Sequence, residues 1–225
     1  MSVSAAVNKT APDTLKESIL RAAISEFGRV GYESASTNEI VKKANVSKGL
    51  LFHYFTSKEK LYIACQLHVM EEYGQHMHNN SDYTSPDFFD RILENLYIKM
   101  EYGRKNPEFL AFINRALFTD AKENPLERSE AENYILKNMK GPDKNVASSA
   151  EEIKHFLFDG TNTELLKDDV DLMKLFVYTR QILESFWERF ASKHNNDGYA
   201  MVQNIGDYFK EAEDLLSLLK YGAYK

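Results

Sequence analysis

Hydrophobic positions recur at intervals of three and four residues along most of the chain, which is the spacing of one face of an α-helix. The first such segment begins at Thr14 and places Ile19, Ala23 and Phe27 on one side. Gly31 follows this stripe and favours a carboxy-terminal stop. No segment alternates between apolar and polar residues for long enough to predict a strand. The sequence therefore predicts an all-α protein.

Further apolar stripes follow Pro86, Pro107 and Pro125. Proline is favoured in the first turn of a helix, so each of these positions predicts a helix start. Two later segments, residues 169–193 and 201–220, are long and have wide apolar faces. Such faces are typical either of a monomer core or of a surface that pairs with a second copy of the chain, and spacing alone leaves both interpretations open.

Residues 37–61 predict a helix, a tight corner, a second short helix and the start of a third. Ser36 and Glu39 have the spacing of a capping box at the first helix. Asn45 tolerates a left-handed backbone and is expected to end that helix. Ser47 is expected to cap the second helix.

The second helix of this segment, residues 48–55, has Leu51 and Phe55 four residues apart, where both can face the core. The opposite side then carries Lys48, Gly49, Leu50, Phe52, His53 and Tyr54. A cation, a glycine, aromatic rings and an imidazole on one exposed side suit a DNA groove. Helix-turn-helix corners also occur in proteins that do not bind DNA, so a solvated polar face is the alternative.

The order and spacing of residues in this region resemble the DNA-binding signature of the tetracycline-repressor (TetR/AcrR) family of transcription regulators. The resemblance covers roughly residues 14–67, and it rests on Thr37, Ile40, Ala44-Asn45-Val46-Ser47-Lys48-Gly49, Leu51-Phe52-His53-Tyr54-Phe55, Ser57-Lys58-Glu59 and Leu61. It implies a three-helix helix-turn-helix head plus a helical ligand-binding and dimerisation body. The chain departs from the usual family residues at Asn45, Leu50 and Phe52, which leaves the operator sequence open.

Residue roles follow from the resemblance only within the matching stretch. Expected DNA contacts are Thr37, Ser47, Lys48, Gly49, Leu50, Phe52, His53, Tyr54 and Lys58. Among these, Thr37, Tyr54 and Lys58 align with positions that contact phosphate. The others lie at or near positions that face base edges or the adjacent backbone.

The resemblance also implies a division of the chain. Residues 1–13 are expected to form a disordered arm, residues 14–60 the helix-turn-helix DNA-binding domain, and residues 61–225 the effector-binding and dimerisation domain. The expected function is a cytoplasmic homodimeric regulator, acting as a repressor on a palindromic operator of double-stranded DNA and released by a small, largely apolar or aromatic ligand. The alternatives are control by a protein partner, control without any effector, and an all-helical enzyme.

Two sets of aromatic and aliphatic residues in the body are candidates for binding, although ordinary core packing explains each of them as well. The expected ligand-binding residues are Tyr97, Tyr102, Phe109, Phe112, Phe118, Tyr134, Phe158 and Tyr178. The expected dimer interface contains Phe176, Ile182, Phe186, Trp187, Phe190, Ile205, Phe209 and Leu216.

Charge and composition are compatible with this interpretation. The net charge of −6 divides unevenly, with +3 in residues 1–60 and −9 in the remainder. Such a distribution suits a DNA-binding head on an acidic body. Cys65 is the only cysteine, so no internal disulfide can form, which fits the cytoplasm.

Motifs for catalysis or cofactor binding are not found in the sequence. It contains no glycine-rich phosphate loop and no nucleophile motif, so we expect no catalytic residues and no cofactor. His68, Glu72 and His76 have helical spacing but no fixed ligand motif, and we interpret them as a polar helix side rather than a metal site. No apolar run approaches the ~20 residues that a membrane span requires.

Overall fold

The computed structural model describes residues 11–80, 85–116 and 160–223. Within these ranges there is no β-strand, and the all-α prediction is confirmed. The helices are α1 (Ala11–Ser34), α2 (Thr37–Ala44), α3 (Lys48–Phe55), α4 (Lys58–Asn80), α5 (Phe88–Lys105), α6 (Pro107–Asn114), α7 (Leu172–Lys193), α8 (Gly198–Gln203) and α9 (Ile205–Ala223), with a 3-10 turn at Thr163–Leu165. None of the described helices is long and apolar enough to cross a membrane. The helix predicted after Pro125 lies outside the described residues.

Helix ends follow local chemistry. Helix α1 begins at Ala11, three residues before the predicted start at Thr14. Its helical geometry is interrupted at Gly31, where φ is 79° and ψ is 170°, so the predicted stop is observed. Helix α5 begins after Asp87, whose carboxylate accepts hydrogen bonds from the amides of Phe89 and Asp90. Pro86 therefore precedes the helix instead of opening it.

A first hydrophobic core is formed by α1 to α4 together with side chains from α5 and α6. Phe27 is fully buried, and its ring lies 5.0 Å from the ring of Tyr62 in an edge-on arrangement. The ring of Tyr62 in turn lies 5.4 Å from that of Phe112 on α6. Tyr102 and Phe109 belong to the same cluster. Body helices therefore complete the core of the head.

A second core joins α5, α7, α8 and α9. Its buried side chains include Phe88, Phe89, Ile92, Leu183, Phe190, Met201, Tyr208, Phe209 and Leu216. Burial raises the pKa of the Tyr208 hydroxyl to about 12. That hydroxyl lies within 3.5 Å of the carbonyl oxygen of Leu183, to which it donates. This core holds the long carboxy-terminal helices against α5.

Helix α6 lies between α1 and α8 and touches the backbone of both. A Cβ atom at Gly28 of α1 would lie 3.0 Å from the amide nitrogen of Phe112 and 3.3 Å from the Cβ of Ala111. A Cβ atom at Gly198 of α8 would lie 2.3 Å from the carbonyl oxygen of Pro107 and 2.7 Å from the same Ala111 Cβ. Because Gly28 and Gly198 have no side chains, α6 can pack directly against the backbones of α1 and α8.

Polar contacts at the end of α6 reinforce this packing. The Asn114 side chain is fully buried, donates to Oδ1 of Asn196 at 2.6 Å and accepts from Nε1 of Trp187 at 3.1 Å. Nε of Arg115 donates to the carbonyl oxygen of Gly28 at 2.9 Å. The amide of Asn114 satisfies groups from α7 and from the loop before α8, while Arg115 binds α1.

Substituting Gly198 by Ala should destabilise the protein, because the added methyl group would overlap the Pro107 carbonyl and Ala111. Overpacking of this kind costs about 1–3 kcal/mol. Urea unfolding at fixed protein concentration measures the change. The matched control is Gly74→Ala in α4, where an added Cβ meets nothing within 4 Å; it should stabilise by about 0.5–1 kcal/mol. Equal effects of the two substitutions would contradict the close packing of α6.

Candidate nucleic-acid interface

Helix α2 ends at the predicted residue. Asn45 adopts φ 53° and ψ 46°, the left-handed conformation, and its amide donates to the Lys42 carbonyl at 3.2 Å. Ser36 occupies the position before α2 with an extended backbone, but its hydroxyl makes no capping hydrogen bond. The predicted capping box is therefore wrong, and Ser36 contributes through its carbonyl, which accepts from the amide of Ile40.

Helix α3 is fixed at both ends. The Ser47 hydroxyl accepts a hydrogen bond from the amide of Leu50 at 3.2 Å, so the predicted cap is confirmed. Leu51 and Phe55 are buried in the first core, as their spacing predicted. Val46 packs against the same core from the corner. With these contacts the helix cannot rotate without exposing two large apolar side chains.

The residues of α3 expected to contact DNA differ in exposure, and Phe52 and Tyr54 also pack against the first core. Lys48, Gly49 and His53 are exposed, whereas Leu50, Phe52 and Tyr54 are half-buried; Ser47 is exposed and Thr37 is half-buried. The rings of His53 and Tyr54 lie 5.6 Å apart in an edge-on arrangement. All these residues belong to α2, α3 or the corner between them.

Gly49 has no neighbour that requires a glycine. A Cβ atom there would meet only the Ser47 hydroxyl, at 3.9 Å. The protein therefore has room for a side chain that the sequence does not supply. A backbone left bare at an exposed helix position permits another molecule to approach it closely.

Lys58, the first residue of α4, has partners inside the protein. Its ammonium donates to the carbonyl oxygen of Glu33 at 3.0 Å and lies 4.7 Å from the centre of the Tyr32 ring. These contacts connect the start of α4 to the end of α1. Lys58 is half-buried.

Asn38 was not among the predicted contacts. It is exposed on α2, and its Oδ1 accepts a hydrogen bond from Nζ of Lys48 at 3.1 Å. In sequence the two residues are ten apart on different helices, so spacing within either helix does not indicate the pair. Knowledge of the corner geometry is needed to find it.

The predicted ligand-binding residues fall into three groups. Tyr102, Phe109 and Phe112 are buried together in the first core, and burial raises the pKa of the Tyr102 hydroxyl well above its ordinary value. Tyr97 and Tyr178 are 45% and 58% exposed and lie apart from that cluster. The remaining residues, Phe118, Tyr134 and Phe158, lie outside the described residues.

The predicted dimer residues lie on α7 and α9. Phe190, Phe209 and Leu216 are buried within the single protomer, where they belong to the second core. Phe176, Phe186, Trp187 and Ile205 are partly buried against that core, whereas Ile182 is half-buried without belonging to it. More exposed apolar side chains on the same helices are Met173, Tyr178, Leu218 and Tyr221.

One group of described residues has the separation that a metal ion would need: Glu17, His68 and Glu72. Nε2 of His68 lies 3.4 Å from a Glu17 oxygen and 3.5 Å from a Glu72 oxygen. The guanidinium of Arg21 pairs with the same two oxygens at 2.7 and 3.0 Å. Since a cation already bridges the carboxylates, we interpret the group as an ion-pair cluster between α1 and α4.

A helix, a tight corner and a second short helix that is exposed on one side form the arrangement of the helix-turn-helix motif. Residues 19–65 match the family described as bacterial regulatory proteins, tetR family. The chain belongs to this TetR family of transcription regulators, as the resemblance implied. The family and the relatives described next are transcription regulators, not enzymes.

Known proteins resemble the chain beyond the head. The biofilm operon icaADBC HTH-type negative transcriptional regulator IcaR of Staphylococcus aureus is 23% identical over 184 residues, covering 79% of this chain and 88% of IcaR. The HTH-type transcriptional regulator RutR of Escherichia coli is 31% identical over 93 residues, 41% of this chain and 43% of RutR. The fatty acid degradation regulator FadR of Bacillus halodurans shares the fold, with a TM-score of 0.60, 16% identity and coverage of 94% and 96% of the two chains.

Substituting Gly49 by Ala should weaken DNA binding without loss of stability. An added methyl group has room in the free protein, so the free energy of unfolding should stay within about 1 kcal/mol of wild type. It would obstruct a DNA backbone or base that approaches the helix. Fluorescence anisotropy with a bound duplex, paired with urea unfolding, measures both quantities. Gly74→Ala, far from α3, is the control that should leave affinity unchanged; wild-type affinity of Gly49→Ala would exclude close approach at this residue.

Proposed function

We propose that the protein is a homodimeric repressor that binds a palindromic operator through α3 of each protomer and leaves it when a small, largely apolar or aromatic ligand binds. The observation that carries the DNA-binding part is the construction of α3. Leu51 and Phe55 anchor one side in the core, and Lys48, Gly49 and His53 remain exposed on the other.

The expected contacts divide by chemistry. Lys58, Tyr54 and Thr37 have donors suited to phosphate oxygens, which set the position of the head on the duplex. Leu50 and Phe52 offer apolar surface, which suits the methyl group of thymine. Lys48 and His53 carry nitrogen donors toward base edges. The remaining residues, Ser47 and Gly49, let the start of α3 approach the groove.

Dimerisation supplies the two-fold symmetry that a palindrome requires. In this proposal α7 and α9 pair with their copies in a second chain through their outer faces. Leu218 and Tyr221 support this because they are 71% and 82% exposed near the end of α9. Paired heads would then read half-sites about one helical turn of DNA apart, or a multiple of it. We assign residues 14–60 to DNA binding and residues 61–225 to effector binding and dimerisation.

Repression and effector release are proposed from the relatives and from the composition of the body. IcaR, a relative over most of the chain, is described as a negative transcriptional regulator, which favours repression. Members of the family usually act as dimers with small-molecule effectors. The aromatic content of the body favours an apolar or planar ligand. A regulator of this kind has to share a compartment with the genome, so we assign it to the cytoplasm.

DNA binding is tested by fluorescence anisotropy with duplexes from the region upstream of the gene and with a scrambled duplex, at several salt concentrations. Lys58→Gln removes a charge but keeps a donor for the Glu33 carbonyl. It should lower affinity and flatten the salt dependence by ~1 per protomer, or ~2 per dimer, because fewer counterions are released. The control is Lys210→Ala on α9. An unchanged salt slope would show that Lys58 does not contact phosphate. Equal affinity for the upstream and the scrambled duplexes would contradict sequence-specific DNA binding.

The proposed interface is tested by Leu218→Asp. Because Leu218 is exposed in the protomer, the substitution should leave the fold intact, but it would bury a carboxylate between two subunits. Sedimentation equilibrium should show the dimer dissociation constant rising at least about tenfold, or ~1.4 kcal/mol. Met70→Asp on α4 provides an exposed apolar control, since Met70 is 43% exposed. A Leu218→Asp protein that dimerises like wild type would exclude this end of α9 from the interface.

Effector binding is tested by thermal shift with hydrophobic and aromatic compounds, followed by release of bound DNA. A ligand that binds only the folded protein raises its melting temperature by mass action. A compound that both stabilises the protein and releases the duplex would support the proposal. If the protein binds DNA sequence-specifically and no such compound releases it, the result would favour control by a protein partner or control without any effector.

A further inference from the structure

The contact between Asn38 and Lys48 connects the two helices of the helix-turn-helix on their exposed side. Asn38 is the second residue of α2, and Lys48 is the first residue of α3. The Lys48 ammonium donates to Oδ1 of Asn38 at 3.1 Å, and both residues are exposed. A polar pair at the start of the helix that faces DNA in the proposed function is positioned to meet a base.

The hydrogen bond determines which groups the pair presents outward. An asparagine that reads adenine uses both ends of its amide, since Oδ1 accepts from N6 and Nδ2 donates to N7. Here Oδ1 of Asn38 already accepts from an ammonium group. The groups left are the two N–H bonds of Nδ2, the remaining N–H bonds of Nζ and the second lone pair of Oδ1, so donors predominate.

A surface made mostly of donors matches guanine better than adenine. The major-groove edge of guanine presents two acceptors, N7 and O6, whereas adenine presents one acceptor beside an amino donor. An adenine amino group would meet mainly N–H bonds, and the one acceptor nearby is an oxygen that already accepts from the Lys48 ammonium.

We propose that Asn38 and Lys48 act as one unit that reads a guanine in each half-site, and that Asn38 is a specificity-determining residue of this protein. Lys48 has two roles in this unit. It donates to the base, and it holds the Asn38 amide with the oxygen turned away from the base. This inference rests on the proposed DNA-binding function and adds the base class that the start of α3 selects.

The test is selection from a pool of randomised duplexes with four full-length proteins: wild type, Asn38→Ala, Lys48→Met and the double variant. Wild type should enrich guanine at one position of each half-site. Lys48→Met keeps the length of the side chain but frees Oδ1, so the preference at that position should move from guanine toward adenine, by about tenfold or more in the ratio of the two bases. Asn38→Ala should reduce the preference for guanine without creating one for adenine.

The double variant tests whether the residues act together. If they form one unit, Asn38→Ala should lower the guanine-to-adenine ratio in the wild-type background but raise it in the Lys48→Met background, where the freed Asn38 amide reads adenine. Additive losses, or an unchanged base preference in Lys48→Met, would overturn the inference. The second result would mean that the pair contacts phosphate, which carries no sequence information. Both residues are exposed, and thermal unfolding of each variant checks that the fold is retained.

Failure of the inference can be separated from failure of the proposed function. If wild type enriches a sequence and the variants enrich the same one, only the coupled reading of guanine is excluded. If wild type enriches no sequence while remaining folded and dimeric, the DNA-binding function and the inference are both excluded. Gly74→Ala serves as the control variant, and it should enrich the wild-type sequence.

Discussion

The close packing of α6 against two other helices is the constraint on which the rest of the structure depends. Gly28 and Gly198 remove the side chains that would separate the backbones, and Ala111 fills the narrow space between them. Arg115 and the buried Asn114 then hold the end of α6 by hydrogen bonds. Since α1 belongs to the head and α8 leads into α9, this one helix sets how the head sits on the body.

Local sequence was sufficient to predict the parts whose determinants are close together in the chain. The bounds of α3 followed from the Ser47 cap and from the apolar pair Leu51 and Phe55, and the structure agrees with all three. Asn45 ended α2 because a left-handed residue is needed at that corner. The Ser36 cap failed although its sequence signal resembled that of Ser47. A capping pattern describes which bonds are possible, and it cannot determine whether a hydroxyl turns toward the helix.

Features that depend on residues far apart in the chain could not be predicted. Gly28 and Gly198 are separated by 170 positions, and only their common neighbour Ala111 explains them. The helices α7 and α9 were recognised as apolar, yet spacing could not separate side chains that fill the protomer core, such as Phe190 and Phe209, from side chains that remain exposed, such as Leu218. In the sequence, each helix has one continuous apolar stripe. In the structure, part of that stripe fills the protomer core and part remains exposed.

The shared first core has a consequence for how such regulators can be recombined. Tyr102, Phe109 and Phe112 pack with the α1 to α4 side chains, so the head is completed by helices that follow it in the chain. A hybrid regulator joined at residue 60 would place this head on a foreign α6, whose side chains were shaped by a different α1. The natural unit of exchange is therefore discontinuous, and it consists of the first four helices together with α6 and the end of α5. The first four helices and the helices that follow them can be exchanged freely only between relatives in which this buried joint is compatible.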